Sequence, residues 1–287
     1  MLGGLPGETL HRVRVAAFQG PYLPFGSGNV VELIRWQLAQ CERNGVDLLC
    51  CPEAFLGGLA DESDGQSPGD VAVSTEELPR LLAPLMSSPV ASVVGFTERA
   101  DGGGLFNSAA FVADGDVQAV YRKVYPGYRT AICAGAELSV VRFRDTVLGI
   151  MICNDVWYVE PARILASKGA ALILVPTNSG HRRDGKAHGR LQTRGETLPV
   201  ARAVDNTVSI VVADIAGEQR DRFALGSSRI IDPDGAVLSA ADPHTVGLVI
   251  ADIEPHSCPF DPRGWDGHTN PTISREYASV LGLSAER

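Results

Sequence analysis

Apolar positions along the chain follow two rhythms. Residues 12–19 (RVRVAAFQ) form a short apolar run, followed by residues 29–45 (NVVELIRWQLAQCERNG), where apolar positions recur every three or four residues and Gly45 closes the pattern. The first predicts a strand and the second a helix. Residues 46–53 (VDLLCCPE) are continuously apolar from Leu48 to Pro52 and predict a strand buried on both faces. A Gly-, Asp- and Ser-rich loop spans 57–70, and a helix with Pro79 early in it is predicted over 75–88. Short strands follow at 91–98, 107–114 and 117–123, separated by Gly-rich and Asp-Gly turns. A hairpin around Arg144-Asp145 joins strands at 138–143 and 146–153.

The rest repeats the theme: a helix over 160–169, a buried strand at 170–176, a polar loop, a long helix through 191–206, and strands at 207–214, 227–232, 236–241 and 247–253. Strands interleaved with helices predict an α/β fold in which helices cover sheets. The strands overfill one twisted sheet, so two packed sheets are expected. No linker or shift in composition divides the chain, and residues 1–287 are expected to be one domain with a C-terminal arm from about residue 254.

Composition narrows the function classes. A formal charge of −9 argues against nucleic acid or an anionic membrane surface as partner. No stretch has the roughly 18 to 20 apolar residues of a membrane span. The N-terminus has no charged start followed by a long apolar core, so a cytoplasmic protein is expected. The six cysteines form no CxxC pair, which favours reduced thiols. No zinc-ligand spacing occurs, and no metal is expected.

Three ionisable residues sit at the ends of apolar strands: Glu53, Lys123 and Cys153, the last followed by Asn154 and Asp155. Taken singly, each has a structural reading: a capping carboxylate, a solvated cation beside Arg122, a small apolar filler. Buried apart from one another, such charges would be costly. Open α/β sheets place their active sites at strand ends.

In the order Glu, Lys, Cys, and with PEAF (52–55), YRKVYP (121–126) and CND (153–155), the chain resembles the nitrilase, or carbon–nitrogen hydrolase, superfamily. GAALILVPTNSG (169–180), ARAVDN (201–206) and GSSRIIDPDG (226–235) extend the resemblance over nearly the whole chain. It implies a four-layer α-β-β-α sandwich, no cofactor, and hydrolysis of a non-peptide C–N bond through a thioester. Glu53, Lys123 and Cys153 would be the catalytic residues. Their chemistry agrees: a carboxylate that takes the thiol's proton, a thiolate nucleophile, and an ammonium with the Asn154 N–H to meet the developing negative charge.

Phe55, Tyr125, Asn154, Trp157 and Asn178 are expected to contact the substrate, with Thr177 and His181 flanking the mouth. Asp155 and Glu160 are expected to hold the turn and the next helix. The chain departs from the family at two places. Asn154 stands where the family usually has a larger residue. The segment KVYPGYRTAICAGAE (123–137) lacks a second glutamate between the lysine and Gly135; Tyr128, Arg129 and Thr130 occupy that place, and Glu137 falls on the wrong side of Gly135. Tyr128 or Thr130 is expected to substitute as a neutral hydrogen-bonding group, with Arg129 suiting a substrate carboxylate. The expected activity is an amidase-type hydrolase of a small amide or N-carbamoyl compound. A nitrilase, an amine-accepting acyl transferase, and a catalytically weak interaction protein are the rivals. A homodimer or higher homo-oligomer is expected.

Overall fold

The structure, a computed structural model, describes residues 12–183, 188–255 and 271–280. In chain order the first part runs β1 (Val13–Pro21), α1 (Val30–Arg43), β2 (Leu48–Cys50), β3 (Val73–Ser74), α2 (Leu78–Met86), β4 (Ala91–Arg99), β5 (Leu105–Ala113) and β6 (Asp116–Arg122). The second part runs β7 (Val140–Phe143), β8 (Thr146–Ile150), α3 (Val159–Ser167), β9 (Leu172–Pro176), β10 (His181–Arg182), α4 (His188–Asn206) and β11 (Ser209–Ala213). It closes with β12 (Ile215–Ala216), β13 (Glu218–Gln219), β14 (Arg222–Phe223), β15 (Arg229–Ile231), β16 (Val237–Ala240), β17 (Gly247–Ile253) and α5 (Pro271–Val280). Of the expected C-terminal arm, α5 is described and residues 256–270 lie outside the described residues.

Two sheets carry these elements. One has the order β12-β1-β2-β4-β5-β6, with β17 also on β1 and β3 on β4; the other has the order β16-β15-β11-β9-β8-β7. The strands β1, β2 and β4 are mutually parallel, as are β8, β9 and β11. Period-2 alternation sorts their side chains. Val15, Ala17, Leu48 and Cys50 pack with Leu172, Leu174, Val211 and Ala213 in a core between the sheets. Their sequence neighbours Ala16, Phe18, Leu49 and Cys51 face Ile34, Leu38 and Cys41 of α1 and Leu78, Leu82 and Leu85 of α2. On the far side, Ile173, Val175, Ile210 and Val212 meet Ala162 and Leu165 of α3 and Ala203 of α4. Three cores therefore separate four layers, helices outside and sheets inside. This is the expected α-β-β-α sandwich, and it follows from strands that are apolar on both faces.

The expected elements appear with shifts at their ends. The strand carrying Cys153 leaves its ladder at Ile150, and Cys153 opens a turn of 3₁₀ helix over Cys153–Trp157. Asp114 and Gly115 both have positive φ, 51° and 78°, which a two-residue hairpin turn requires. A small third sheet of the two-residue strands β10, β14 and β13 was not expected, since two residues are too few to show a period. Its Arg222 pairs with Asp61 at 2.6 Å, and its Arg182 pairs with Asp64. The polar 57–70 loop is thereby fastened across the end of the sandwich.

Candidate active site

Glu53 follows β2 on a turn pressed against β4. A Cβ on Gly95 would lie 2.6 Å from the Ala54 nitrogen, so only glycine admits this approach. The next residue, Ala54, has φ +45°. Lys123 follows β6 and is clamped by its backbone: its N–H donates to Asn107 O and its carbonyl accepts from Gly135 N, each at 2.8 Å. Cys153 sits at φ +44°, a conformation that costs a non-glycine residue about 1–3 kcal/mol.

The three side chains meet at one end of the sandwich. Lys123 Nζ donates to Glu53 Oε1 at 2.5 Å, with both side chains buried. Asn107 Nδ2 donates to the same oxygen at 2.7 Å, and the Asn178 N–H donates to Oε2 at 3.0 Å. The Cys153 thiol lies beside the Glu53 carboxylate and the Asn178 N–H, close enough for both to act on its ionisation. Burial pushes the thiol well above its ordinary pKa, Glu53 adds to that, and Lys123 opposes it. Burial would pull the Lys123 ammonium down, but Glu53 chiefly, then Cys153 and Asp155, outweigh it and hold the lysine above its usual range. The resting arrangement is thus a neutral thiol beside a carboxylate–ammonium pair. A thiol so placed has a proton acceptor within reach and a fixed cation nearby, the parts needed for nucleophilic attack on a polarised carbon.

Asp155 is fully buried and supports this geometry without lining the cavity. Its Oδ2 accepts from Tyr121 OH and Ile152 N, each at 2.9 Å, and its Oδ1 accepts from Tyr125 N at 2.8 Å. One carboxylate therefore ties the Cys153 turn to the segment carrying Lys123. Burial raises its pKa, against the pull of Lys123 and of these donors. Arg202 of α4 holds the other side of the turn through the carbonyls of Val156 and Tyr158, each at 3.1 Å.

A cavity of about 340 Å³ opens over the trio. Asn154, Tyr128, Trp157 and Asn178 line it, as do Thr177 and His181. Other expected contacts are corrected. Phe55 is in the core, edge-on to Phe18, because its ring points to the helix side of the sheet. Tyr125 stacks on Tyr158, ring centroids 3.7 Å apart, and does not line the cavity. Arg129 is exposed and outside the lining, so it offers no cation to a substrate carboxylate there. Thr130 is also outside the lining, but its Oγ1 donates to Glu62 Oε1 at 2.9 Å, and Glu62 does line the cavity. Glu137 is exposed and Glu160 accepts from Tyr277 OH at 3.4 Å; neither lines the cavity.

Sequence reasoning missed three residues: Glu62, Asn107 and Asp214. Glu62 lay in a polar loop with no period. Asn107 opens a predicted strand and carries no signal of its own. Asp214, fully buried, accepts from Ser179 N (2.9 Å), Ser179 Oγ (2.6 Å), Ser227 N (2.9 Å) and Ser227 Oγ (2.7 Å), and so fixes two loops that reach the cavity. The sequence signal for it is GSS (226–228), which does not name its partner.

Comparison with known proteins follows the same lines. Residues 14–260 match the carbon–nitrogen hydrolase family model. A glutamine-dependent NAD(+) synthetase of Xanthomonas campestris pv. campestris is 27% identical over 96% of this chain and 50% of its own length. The chain thus spans about half the length of such relatives. An (R)-stereoselective amidase of Pseudomonas sp. is 30% identical over 71% of this chain and 72% of its own. A cysteine-to-alanine mutant of the Nesterenkonia AN1 amidase, from the nitrilase superfamily, superposes with a TM-score of 0.74 at 23% identity, covering 96% of this chain and 100% of that one. Among the described residues no helix is long and apolar enough to cross a membrane, and no group of three or more His, Cys, Asp or Glu is arranged to hold a metal.

Proposed function

The chain belongs to the carbon–nitrogen hydrolase family, and from that premise we propose that it is an amidase-type enzyme acting on a small amide or N-carbamoyl compound through Cys153. The observation that carries the proposal is the setting of Glu53: one buried carboxylate bonded to the Lys123 ammonium, with the Cys153 thiol beside it, beneath a cavity.

Glu53 takes the thiol proton while the sulfur attacks the amide carbon. Lys123 Nζ and the Asn154 N–H stabilise the oxyanion. Glu53 returns the proton to the departing nitrogen, the C–N bond breaks, and ammonia or an amine leaves a thioester on Cys153. Water then attacks the thioester, giving its proton to Glu53; the C–S bond breaks, the acid leaves, and Glu53 returns the proton to the sulfur to restore the thiol. Besides Glu53 the cavity has two acidic groups, Asp61, which pairs with Arg222, and Glu62, held by Thr130; in our reading Glu62 takes the place of the family's missing glutamate.

The match to glutamine-dependent NAD(+) synthetases favours a second reading, in which the amide opened is the carboxamide of glutamine. Ammonia release from a panel of amides, glutamine, carbamoyl compounds and nitriles tests these readings, together with intact-mass detection of an acyl adduct on Cys153. Release from an amide with an adduct absent in Cys153→Ala supports the proposal. Release from nitriles only makes the protein a nitrilase. Acyl transfer to added amine without hydrolysis makes it a transferase, and silence across the panel leaves an interaction protein. The assembly we propose is a homodimer or higher homo-oligomer, supported by the exposed apolar side chains of Tyr158, Val159, Ile164 and Val204; light scattering giving only monomer mass at micromolar concentration would sink it.

A further inference from the structure

The helix α4 turns one face to the cavity, where Leu191 and Gly195, one turn apart, both line the wall. Leu191 fills its part of that wall with a side chain and Gly195 leaves its part open. Glycine inside a helix lowers stability relative to alanine, so its presence there needs a reason. The backbone gives none. Gly195 has no positive φ. A Cβ built on it would meet only Ser227 Cβ and Oγ, at 3.8 Å, which is ordinary contact, and Ser227 lines the cavity too. Pro199, four residues on, cannot donate to the Gly195 carbonyl, but any residue at 195 has that oxygen. What a side chain at 195 would take up is cavity.

We infer that Gly195 is a specificity-determining residue that keeps room for the acyl part of the substrate, and that the enzyme takes amides with a bulky apolar acyl group, aromatic or branched, in preference to acetamide-sized ones. The inference rests on the hydrolase reading above and names its substrate class. A carboxamide at Cys153 needs the space of a few atoms beside Glu53 and Lys123, whereas a cavity of about 340 Å³ is in the range that takes drug-sized ligands. The charged groups of the lining are already engaged: Glu53 with Lys123, Asp61 with Arg222 and Glu62 with Thr130. The walls left for the acyl group include Ile132, Trp157, Leu191 and Leu225. Trp157 is fixed as a plate there, since the Arg194 guanidinium lies over its ring, 4.8 Å from the centroid, and Arg194 itself is outside the lining. An apolar group leaving water for these walls favours the larger substrate. A side chain at 195 would take that space and penalise the bulky acyl group first.

The test has two readouts. Ammonia release gives kcat/KM for phenylacetamide and for acetamide, and the wild type is expected to favour phenylacetamide by about tenfold or more. Gly195→Leu should remove that preference, chiefly through a higher KM for phenylacetamide. Gly195→Ala separates space from backbone: it should weaken the preference while raising Tm by about 2 °C, because the helix gains what the cavity loses. The second readout uses Cys153→Ala, which cannot turn over. Millimolar phenylacetamide should raise its Tm more than acetamide does, and adding Gly195→Leu should cancel the difference. A wild type with no preference for phenylacetamide, a preference unchanged in Gly195→Leu, or a lower Tm in Gly195→Ala each overturns the inference. The hydrolase reading fails separately: phenylacetamide would still stabilise Cys153→Ala while the wild type released ammonia from no amide.

Discussion

Lys123 Nζ and Glu53 Oε1 are 2.5 Å apart and both side chains are buried, at 4% and 1% exposure. A buried pair is poor evidence of net stabilisation, but breaking it by removing one partner leaves an uncompensated charge. Lys123→Met should therefore cost about 3–5 kcal/mol in urea unfolding as well as turnover. Adding Glu53→Gln to that variant should recover part of the stability and none of the activity. Two penalties that simply add would show that the pair is not coupled.

Gly95 sets the position of Glu53 from outside the site. A methyl there meets backbone atoms of the Pro52–Ala54 turn, which cannot rotate away as a side chain would. Gly95→Ala should lower kcat/KM by about a hundredfold through misplacement of the carboxylate. Gly28→Ala is the control, since a Cβ there has nothing within 4 Å. Equal activity of the two variants would remove the claim.

The Cys153 thiol, raised by burial and by Glu53, should be neutral in the resting protein. Its alkylation rate is then expected to climb with pH from 7 to 9 by about tenfold per unit, with no plateau, because the ordinary thiol value of about 8.5 is already exceeded. A plateau below pH 8 would mean a preformed thiolate, and Glu53 would not be needed as the first proton acceptor.

Burial also pushes Cys41 up to about 12, with Glu42 adding to it, and holds Cys50 and Cys51 above their ordinary range. A raised folded value means that the unfolded chain loses these protons first. Their contribution to stability is whole below about pH 8.5 and falls as pH rises toward the folded values. Unfolding midpoints at pH 7, 9 and 10.5 should decrease in that order. Cys41→Ala should flatten the slope by up to about 1.4 kcal/mol per pH unit; an unchanged slope would show that Cys41 does not contribute to it.

Glu62 carries the claim that the missing family glutamate is replaced from another loop. Glu62→Gln should reduce kcat/KM by about tenfold, as expected for loss of a hydrogen bond to a charged group. Thr130→Val should have a smaller effect in the same direction. Full activity in Glu62→Gln would show that Glu62 does not stand in for the family's second glutamate.

The path of the chain was readable because strands buried on both faces and amphipathic helices write their burial into local order. Leu48, Leu49, Cys50 and Cys51 alternate between two cores as period 2 requires. Phe55 and Tyr125 were misplaced because nearness in sequence to a motif does not fix the direction of a side chain after a turn. Ala54 turns at positive φ and sends the next ring into the core. The Tyr125 ring finds Tyr158, 33 positions away, and stacks on it.

By itself the sequence determined the α/β class, the two packed sheets, and the strand ends at which Glu53, Lys123 and Cys153 stand; its motifs added the family. Only the tertiary structure decided what surrounds them: Asn107 bonded to Glu53 across 54 positions, Asn178 across 125, and Glu62 brought to Thr130 across 68. The reason is physical. Burial within one strand or helix repeats with the geometry of that element and leaves a period in the sequence. A hydrogen bond between residues on different strands or loops depends on how those elements are brought together in space and leaves none.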